Sequence, residues 1–327
     1  MRRRDFISLA YGTAIGVAAR RVCAAADGPV IGFMSGRSPE DSDYLVAAFR
    51  QGLAEVGLSE GKNVVIEYRW ARGRYDQLPA LAADLVKRKV AVLVGVGGDV
   101  SALAAKRATA TIPVIFGMGS DPVKAGLVES ISRPGGNATG FTLLTNEMGS
   151  KRLGLLHDLL PKATFFGVLV NPKFSPGARA LEDLQDAARK ANEQLFVANA
   201  SNDAELDASF ASLRQQHVSA LLVNPDPYFD TRRERIIAFA AQERLPAVYQ
   251  FREYALAGGL ISYGPSVPEG YRQAGIYTGR VLNGEKPADL PVVQPTKFEF
   301  VINLKTAKTL GLMLPSGLLS FADEVIE

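Results

Sequence analysis

Asp226 is the residue in this 327-residue chain whose neighbours best fit it for chemistry. It stands between Pro225 and Pro227, which restrict the backbone on both sides, just beyond the apolar run Ala220–Val223. A carboxylate fixed at the end of a buried strand is well placed to meet an ammonium group. Asn171 holds an equivalent place, because Leu169-Val170-Asn171-Pro172 reappears as Leu222-Val223-Asn224-Pro225, 53 residues later. Three further runs place polar groups just beyond an apolar stretch: Ser35-Gly36-Arg37-Ser38, Gly97-Gly98-Asp99 and Gly119-Ser120-Asp121-Pro122. Ser and Gly ahead of a helix supply hydroxyl and backbone N–H donors where the helix N-terminus favours an anion. Ser35, Ser38 and Ser120 are therefore candidates to hold a carboxylate, with Gly36, Gly98 and Asp121 in the same loops. Helix capping explains any one of these polar residues equally well. Tyr228, Tyr249, Phe251 and Tyr263 are candidates for aromatic walls suited to a flat or cationic ligand, with core packing the competing role for each ring, and Arg252 beside them is a further ligand-binding candidate.

The residue inventory removes most catalytic classes. His157 and His217 both fall in amphipathic runs away from strand ends, and Cys23 is the single cysteine. No catalytic residue, metal site or cofactor is expected. The sequence contains no G-x-S-x-G elbow and no G-x-x-x-x-G-K-[ST] phosphate loop. Gly95-Val96-Gly97-Gly98-Asp99-Val100 resembles a dinucleotide fingerprint, but Val100 stands where Gly or Ala is needed for close helix packing, and the run follows the third strand rather than the first.

The apparent net charge of +3 belongs to the N-terminus. Residues 1–26 combine Arg2-Arg3-Arg4, a weakly apolar run and Ala24-Ala25-Ala26, the three parts of an export signal, and Arg3-Arg4-Asp5-Phe6-Ile7 fits the twin-arginine pattern. Cleavage near Ala26 leaves 32 of the 37 Lys and Arg and 33 of the 34 Asp and Glu, a formal charge of −1, and removes the cysteine. A nearly neutral chain without an aromatic-flanked basic cluster gives no support to nucleic-acid binding. No other apolar stretch is long enough to span a membrane. The mature protein is expected in the periplasm, soluble and monomeric.

Short β-branched runs alternate with amphipathic stretches from Pro29 onward, a pattern that builds parallel sheets covered by helices. Strands are predicted at Val30–Met34, Val64–Tyr68, Val90–Val94, Val114–Gly117 and Thr139–Leu143. A second series follows at Phe165–Val170, Leu195–Val197, Ala220–Val223, Ala247–Tyr249 and Leu260–Ser262. The expected fold class is α/β, with two doubly wound, mainly parallel, Rossmann-like lobes joined by hinge strands. Residues 28–142 with the tail 265–327 are assigned to the first lobe and 143–264 to the second. Ligands of such sheets bind beyond the carboxyl ends of the strands, so two facing lobes would hold one between them.

The runs PVIGFMSG, PVIFGMGSDPVKAGLV, RPGGNATG, LLVNPDPYF, YALAGGLISYG, YRQAGIYTGRVLNGEKPADLPV and FVINLKTAKTLGL resemble the ABC-transporter substrate-binding proteins of the type I periplasmic fold. The resemblance covers essentially the whole chain after the export signal, and it is similar to the members that bind tryptophan or tyrosine. It implies capture of a small organic solute, such as an aromatic amino acid, without catalysis, and delivery to an ABC permease with its ATPase. By position it makes Asp226 a partner for a ligand amine and places Ser35, Gly98 and Ser120 on the cleft. A ligand sensor coupled to a membrane receptor or kinase would use the same cleft, and a periplasmic enzyme on this scaffold is the remaining alternative.

Overall fold

The computed structural model describes residues 28–327, so the expected export signal and Cys23 lie outside the described residues. The first sheet contains β1 (Val30–Ser35), β2 (Val65–Trp70), β3 (Val92–Val96), β4 (Val114–Met118) and β5 (Ala138–Thr142). Its order is β2-β1-β3-β4-β5 and every pairing is parallel. The helices α1 (Asp43–Glu55), α2 (Leu78–Lys87) and α3 (Asp99–Ala108) alternate with these strands. Every residue of β3 and β4 is buried, as parallel strands sandwiched between helical layers must be. Leu45, Phe49 and Leu53 face the sheet from α1, at the spacing that a helical stripe requires.

The second lobe opens with α4 (Gly149–Leu159), β6 (Phe165–Val170), α5 (Ser175–Lys190), β7 (Gln194–Asn199) and α6 (Asp203–Gln215). It continues through β8 (Leu221–Val223), α7 (Pro227–Thr231), α8 (Arg233–Gln242), β9 (Ala247–Tyr249), α9 (Arg252–Leu256) and β10 (Ile261–Pro265). The short helices α7 and α9 fall in segments whose sequence reads as loops. After α10 (Val267–Leu282) come β11 (Phe298–Asn303), α11 (Leu304–Leu310), α12 (Ser316–Phe321) and β12 (Glu324–Ile326). The second sheet has the order β12-β11-β10-β9-β8-β6-β7.

The tail departs from the expected division. α10 packs on α1 in the first lobe, but β11 pairs antiparallel with β10, and β12 pairs parallel with β11. Phe300 and Ile302 thereby enter the core of the second lobe. The physical reason is the edge of β10, whose open N–H and C=O row β11 covers. Local periodicity identifies Lys297–Ile302 as a strand but carries no information about which sheet it joins. The chain therefore crosses between lobes three times, after β5, after β10 and after Val293, which still bridges to Phe141 on β5.

α10 approaches α1 backbone to backbone. A Cβ on Gly275 would overlap the Phe49 carbonyl oxygen, and one on Gly52 would overlap the Arg272 carbonyl oxygen. This close crossing seats Tyr271 of α10 among the buried residues beside the cleft.

Candidate ligand-binding site

Both sheets reverse their winding direction at a defined point, between β1 and β3 in the first and between β6 and β8 in the second. Such switch points leave a crevice beyond the strand ends. The Leu-Val-Asn-Pro repeat sits on the two strands that flank the second crevice, which explains why the same four residues recur: both strands are buried and both must end abruptly at the same place. The loops after β1 and β3 face those after β6 and β8. Between them lies a cavity of about 60 Å³, room for several water-sized occupants or one compact solute. Met118, Phe141, Leu143, Phe174, Phe251 and Val267 supply apolar walls, and Arg37, Asp99, Asn146, Asp226 and Asp230 supply the polar groups.

Asp226 caps α7 and is 3% exposed. Three donors converge on its Oδ1: the Tyr228 N–H at 2.7 Å, the Tyr75 hydroxyl at 3.0 Å and Asn171 Nδ2 at 3.3 Å. Its Oδ2 has no hydrogen-bond partner among the described residues. One oxygen is thus fixed, while the other is a buried acceptor without a partner, on a residue that lines the cavity. Burial pushes the carboxyl up to about 7, against the opposing pull of Asn171, the Tyr228 N–H and Tyr75. Tyr75 belongs to the first lobe, and its own burial, then the Asp226 charge, hold its hydroxyl well above the usual phenol range, so it stays a donor.

A second contact joins the lobes. Arg37 Nη1 donates to Asp230 Oδ2 at 2.7 Å, and Gln250 Nε2 donates to Asp230 Oδ1 at 2.7 Å. Burial works most strongly against the guanidinium's charge, but Asp230, together with Tyr44 and Tyr271, outweighs it and Arg37 ionises above the ordinary arginine value. Gly98 closes the seam from the other side: a Cβ there would lie 2.6 Å from Pro227 Cγ in the opposite lobe. These cross-lobe contacts describe a closed cleft.

Of the residues singled out from sequence, Gly98, Asp226 and Phe251 line the cavity, and Asn171 supports Asp226 from behind. Ser35 lies beneath the first-lobe loop, where its Oγ accepts from the Arg37 N–H at 3.2 Å, and Gly36 packs against the Gly97 carbonyl. Ser120 and Asp121 open onto a separate polar groove, where Asp121 caps the Val123 and Lys124 N–H groups. Tyr228 turns its hydroxyl to Asp203 at 2.8 Å, Tyr249 stacks on Tyr254 in the core, and Tyr263 stacks on Phe298. Arg252 pairs with Glu324 at 2.7 Å. Arg37, Asp99, Phe174, Asp230 and Tyr271 are among the cavity residues that the sequence did not single out; Arg37 and Asp99 stood inside the strand-end runs already noted.

The closed two-lobe geometry has relatives. A family model for the ABC transporter substrate binding protein matches residues 30–326. The chain belongs to that family. Proteins similar to it include a tyrosine-binding protein of Clostridioides difficile (strain R20291), 28% identical over 272 residues, 83% of this chain and 77% of that protein. A conserved domain protein of Vibrio cholerae superimposes with a TM-score of 0.83 at 26% identity, covering 91% of this chain and 99% of the other. An ABC domain in complex with L-Trp from Streptococcus pneumonia superimposes with a TM-score of 0.81 at 24% identity, over 91% and 100% of the two chains. The α/β two-lobe fold class expected from sequence is the one observed, and the family is one of solute-binding proteins rather than enzymes. No helix among the described residues is long and apolar enough to cross a membrane.

Proposed function

We propose that this substrate-binding protein, once exported to the periplasm, captures a small amine-bearing solute with an apolar or aromatic body and presents it to an ABC permease. The observation that carries the reading is Asp226, with one oxygen held by three donors and the other buried without a partner, on a residue that lines an apolar-walled cavity. A buried carboxylate half-satisfied in this way is stabilised by a cation that brings its own N–H donors. Tyrosine binding by the Clostridioides difficile relative supports an aromatic amino acid as the first compound to try. Closure through Arg37–Asp230 and Tyr75–Asp226 then encloses the solute. A thermal-shift screen over amino acids, amines, aromatic acids and small amides tests this. An amine at about 100 times its dissociation constant is expected to stabilise the protein by roughly 2.7 kcal/mol. Stabilisation by acids lacking an amine, and by no amine, rejects the reading.

The Asp226 carboxyl also sets a pH dependence. Its folded value of about 7 lies above the ordinary 3.8. Its protonation therefore contributes stability to the ligand-free protein that is full below about pH 4 and lost as the pH rises through about 7. Amine binding runs the other way, because an ammonium pairs with the carboxylate and not with the acid. Affinity for an amine ligand is expected to climb roughly tenfold per pH unit from about 5 to about 7 and then level off, with proton release on binding below 7. Titration calorimetry in buffers of different ionisation enthalpy measures both, and Asp226→Asn is expected to flatten the slope.

A further inference from the structure

We infer that the side-on fork of Arg37, formed by its Nε and Nη2, is the carboxylate subsite of this cleft, so that the bound amine is a zwitterionic α-amino acid. The inference rests on the reading of Asp226 as the amine partner.

A ligand carboxylate in a buried cleft needs charged or backbone donors. The first place to look is the N-terminus of the helix that follows a strand, where free N–H groups and the helix dipole favour an anion. Here that place is taken. Asp99 is the first residue of α3, is 1% exposed and lines the cavity. Its Oδ1 accepts from the Gly119 N–H at 2.6 Å, at the end of the neighbouring strand β4. A second carboxylate there would meet a like charge at close range in a site shielded from water.

Arg37 is the lysine-or-arginine side chain that lines the cavity, and it is 4% exposed. A guanidinium presents five N–H donors in a planar array. Nη1 is committed to Asp230, while Nε and Nη2 have no hydrogen-bond partner among the described residues. Those two atoms form one complete edge of the guanidinium, with parallel N–H groups spaced for the two oxygens of a carboxylate. Leaving buried charged donors unmatched is costly, and a carboxylate satisfies both at once.

The placement agrees. Asp226 is the N-cap of α7, and Asp230 follows within that helix, four residues on. The guanidinium docked on Asp230 and the unpartnered oxygen of Asp226 therefore belong to residues that line one cavity. An α-ammonium and an α-carboxylate, borne on one carbon, can engage the two together.

The test compares each amino acid with the amine that lacks its carboxylate: tyrosine with tyramine, tryptophan with tryptamine, and phenylalanine with phenethylamine. Affinities are measured by calorimetry on the wild-type protein and on the double variant Arg37→Gln/Asp230→Asn, which removes both charges together and leaves neither buried alone. The wild type is expected to bind at least one amino acid tenfold or more tighter than its amine. The double variant is expected to bring that ratio near one, with amine and amino-acid affinities both lowered by the loss of the Arg37–Asp230 closure contact. Arg37→Lys keeps a charge but not the fork; it carries the same comparison if the double variant does not fold, and the ratio is expected to fall several-fold. A ratio that survives in the variants, or a wild type that binds amine and amino acid equally, overturns the Arg37 assignment and leaves the Asp226 reading standing. Failure of every amine and amino acid to bind the wild type overturns both.

Discussion

Asp226→Ala is expected to remove nearly all of the thermal stabilisation that an amine ligand gives. Truncating one partner of a buried, hydrogen-bonded charge pair costs roughly 2–5 kcal/mol, so about 3 kcal/mol, or on the order of 150-fold in affinity, is a middle value. A ligand concentration that stabilises the wild type by about 2.7 kcal/mol would then stabilise the variant by only about 0.3 kcal/mol. The substitution also removes the α7 cap and leaves Tyr75, Asn171 and the Tyr228 N–H without their shared acceptor, so ligand-free stability changes as well. The ligand-induced shift, measured against the variant's own ligand-free melt, isolates the binding loss. Asp226→Asn restores an acceptor for the Tyr228 N–H without the charge, and separates capping from recognition. Retention of wild-type affinity within threefold by the Ala variant would remove Asp226 from the site.

The second large effect comes from a residue outside the cavity lining. Gly275→Ala is expected to lower the stability of the protein by about 3 kcal/mol, the upper end for forced overpacking, because the obstructing atom is a backbone carbonyl that cannot rotate aside. The new methyl would overlap the Phe49 carbonyl oxygen of α1, and the helices can relieve this only by separating along their length. Phe49 and Leu53 on one side and Tyr271 and Ala274 on the other are all buried at this contact. Each kcal/mol corresponds to roughly 2–4 °C in a domain of 150–250 residues, so a fall of about 6–12 °C in Tm is expected. A fall below 2 °C would show that the helices are not in backbone contact. Ligand affinity offers a second readout, since α10 carries Tyr271 and Val267 into the cavity wall.

The two sheets were legible because their strands are buried on both faces, which produces runs such as Val92–Val96 and Phe165–Val170 that stand out in any window. Asp226 was legible for a different reason: the prolines that bracket it make a local statement about rigidity, and the structure answers with a cap and three donors. Tyr249 and Tyr263 were not separable from cleft residues by sequence. Tyr249 ends β9 and Tyr263 lies in the middle of β10, and partners elsewhere in the chain draw both away from the cavity, Tyr254 for one and Phe298 for the other. Arg252 is taken by Glu324, a residue of β12 whose sheet could not be read locally. The same limit hid Asp230 and Tyr75. Their importance comes from Arg37 and Asp226 in the opposite lobe, 193 and 151 residues away in sequence. A contact between lobes leaves no periodicity in either of them.

The return of the tail to the second sheet settles where residues 28 and 327 lie. β1 begins at the pole of its lobe away from the cleft, because the cleft lies beyond the carboxyl ends of the strands. β12 runs with β11 and against β10, so it finishes at the far pole of the other lobe. A donor and an acceptor fluorophore attached near residues 28 and 327 would therefore ride on different bodies, with nothing added near the solute. Hinge closure would change their separation directly, and the protein would serve as a ratiometric optical reporter of its own ligand without redesign of the binding cavity.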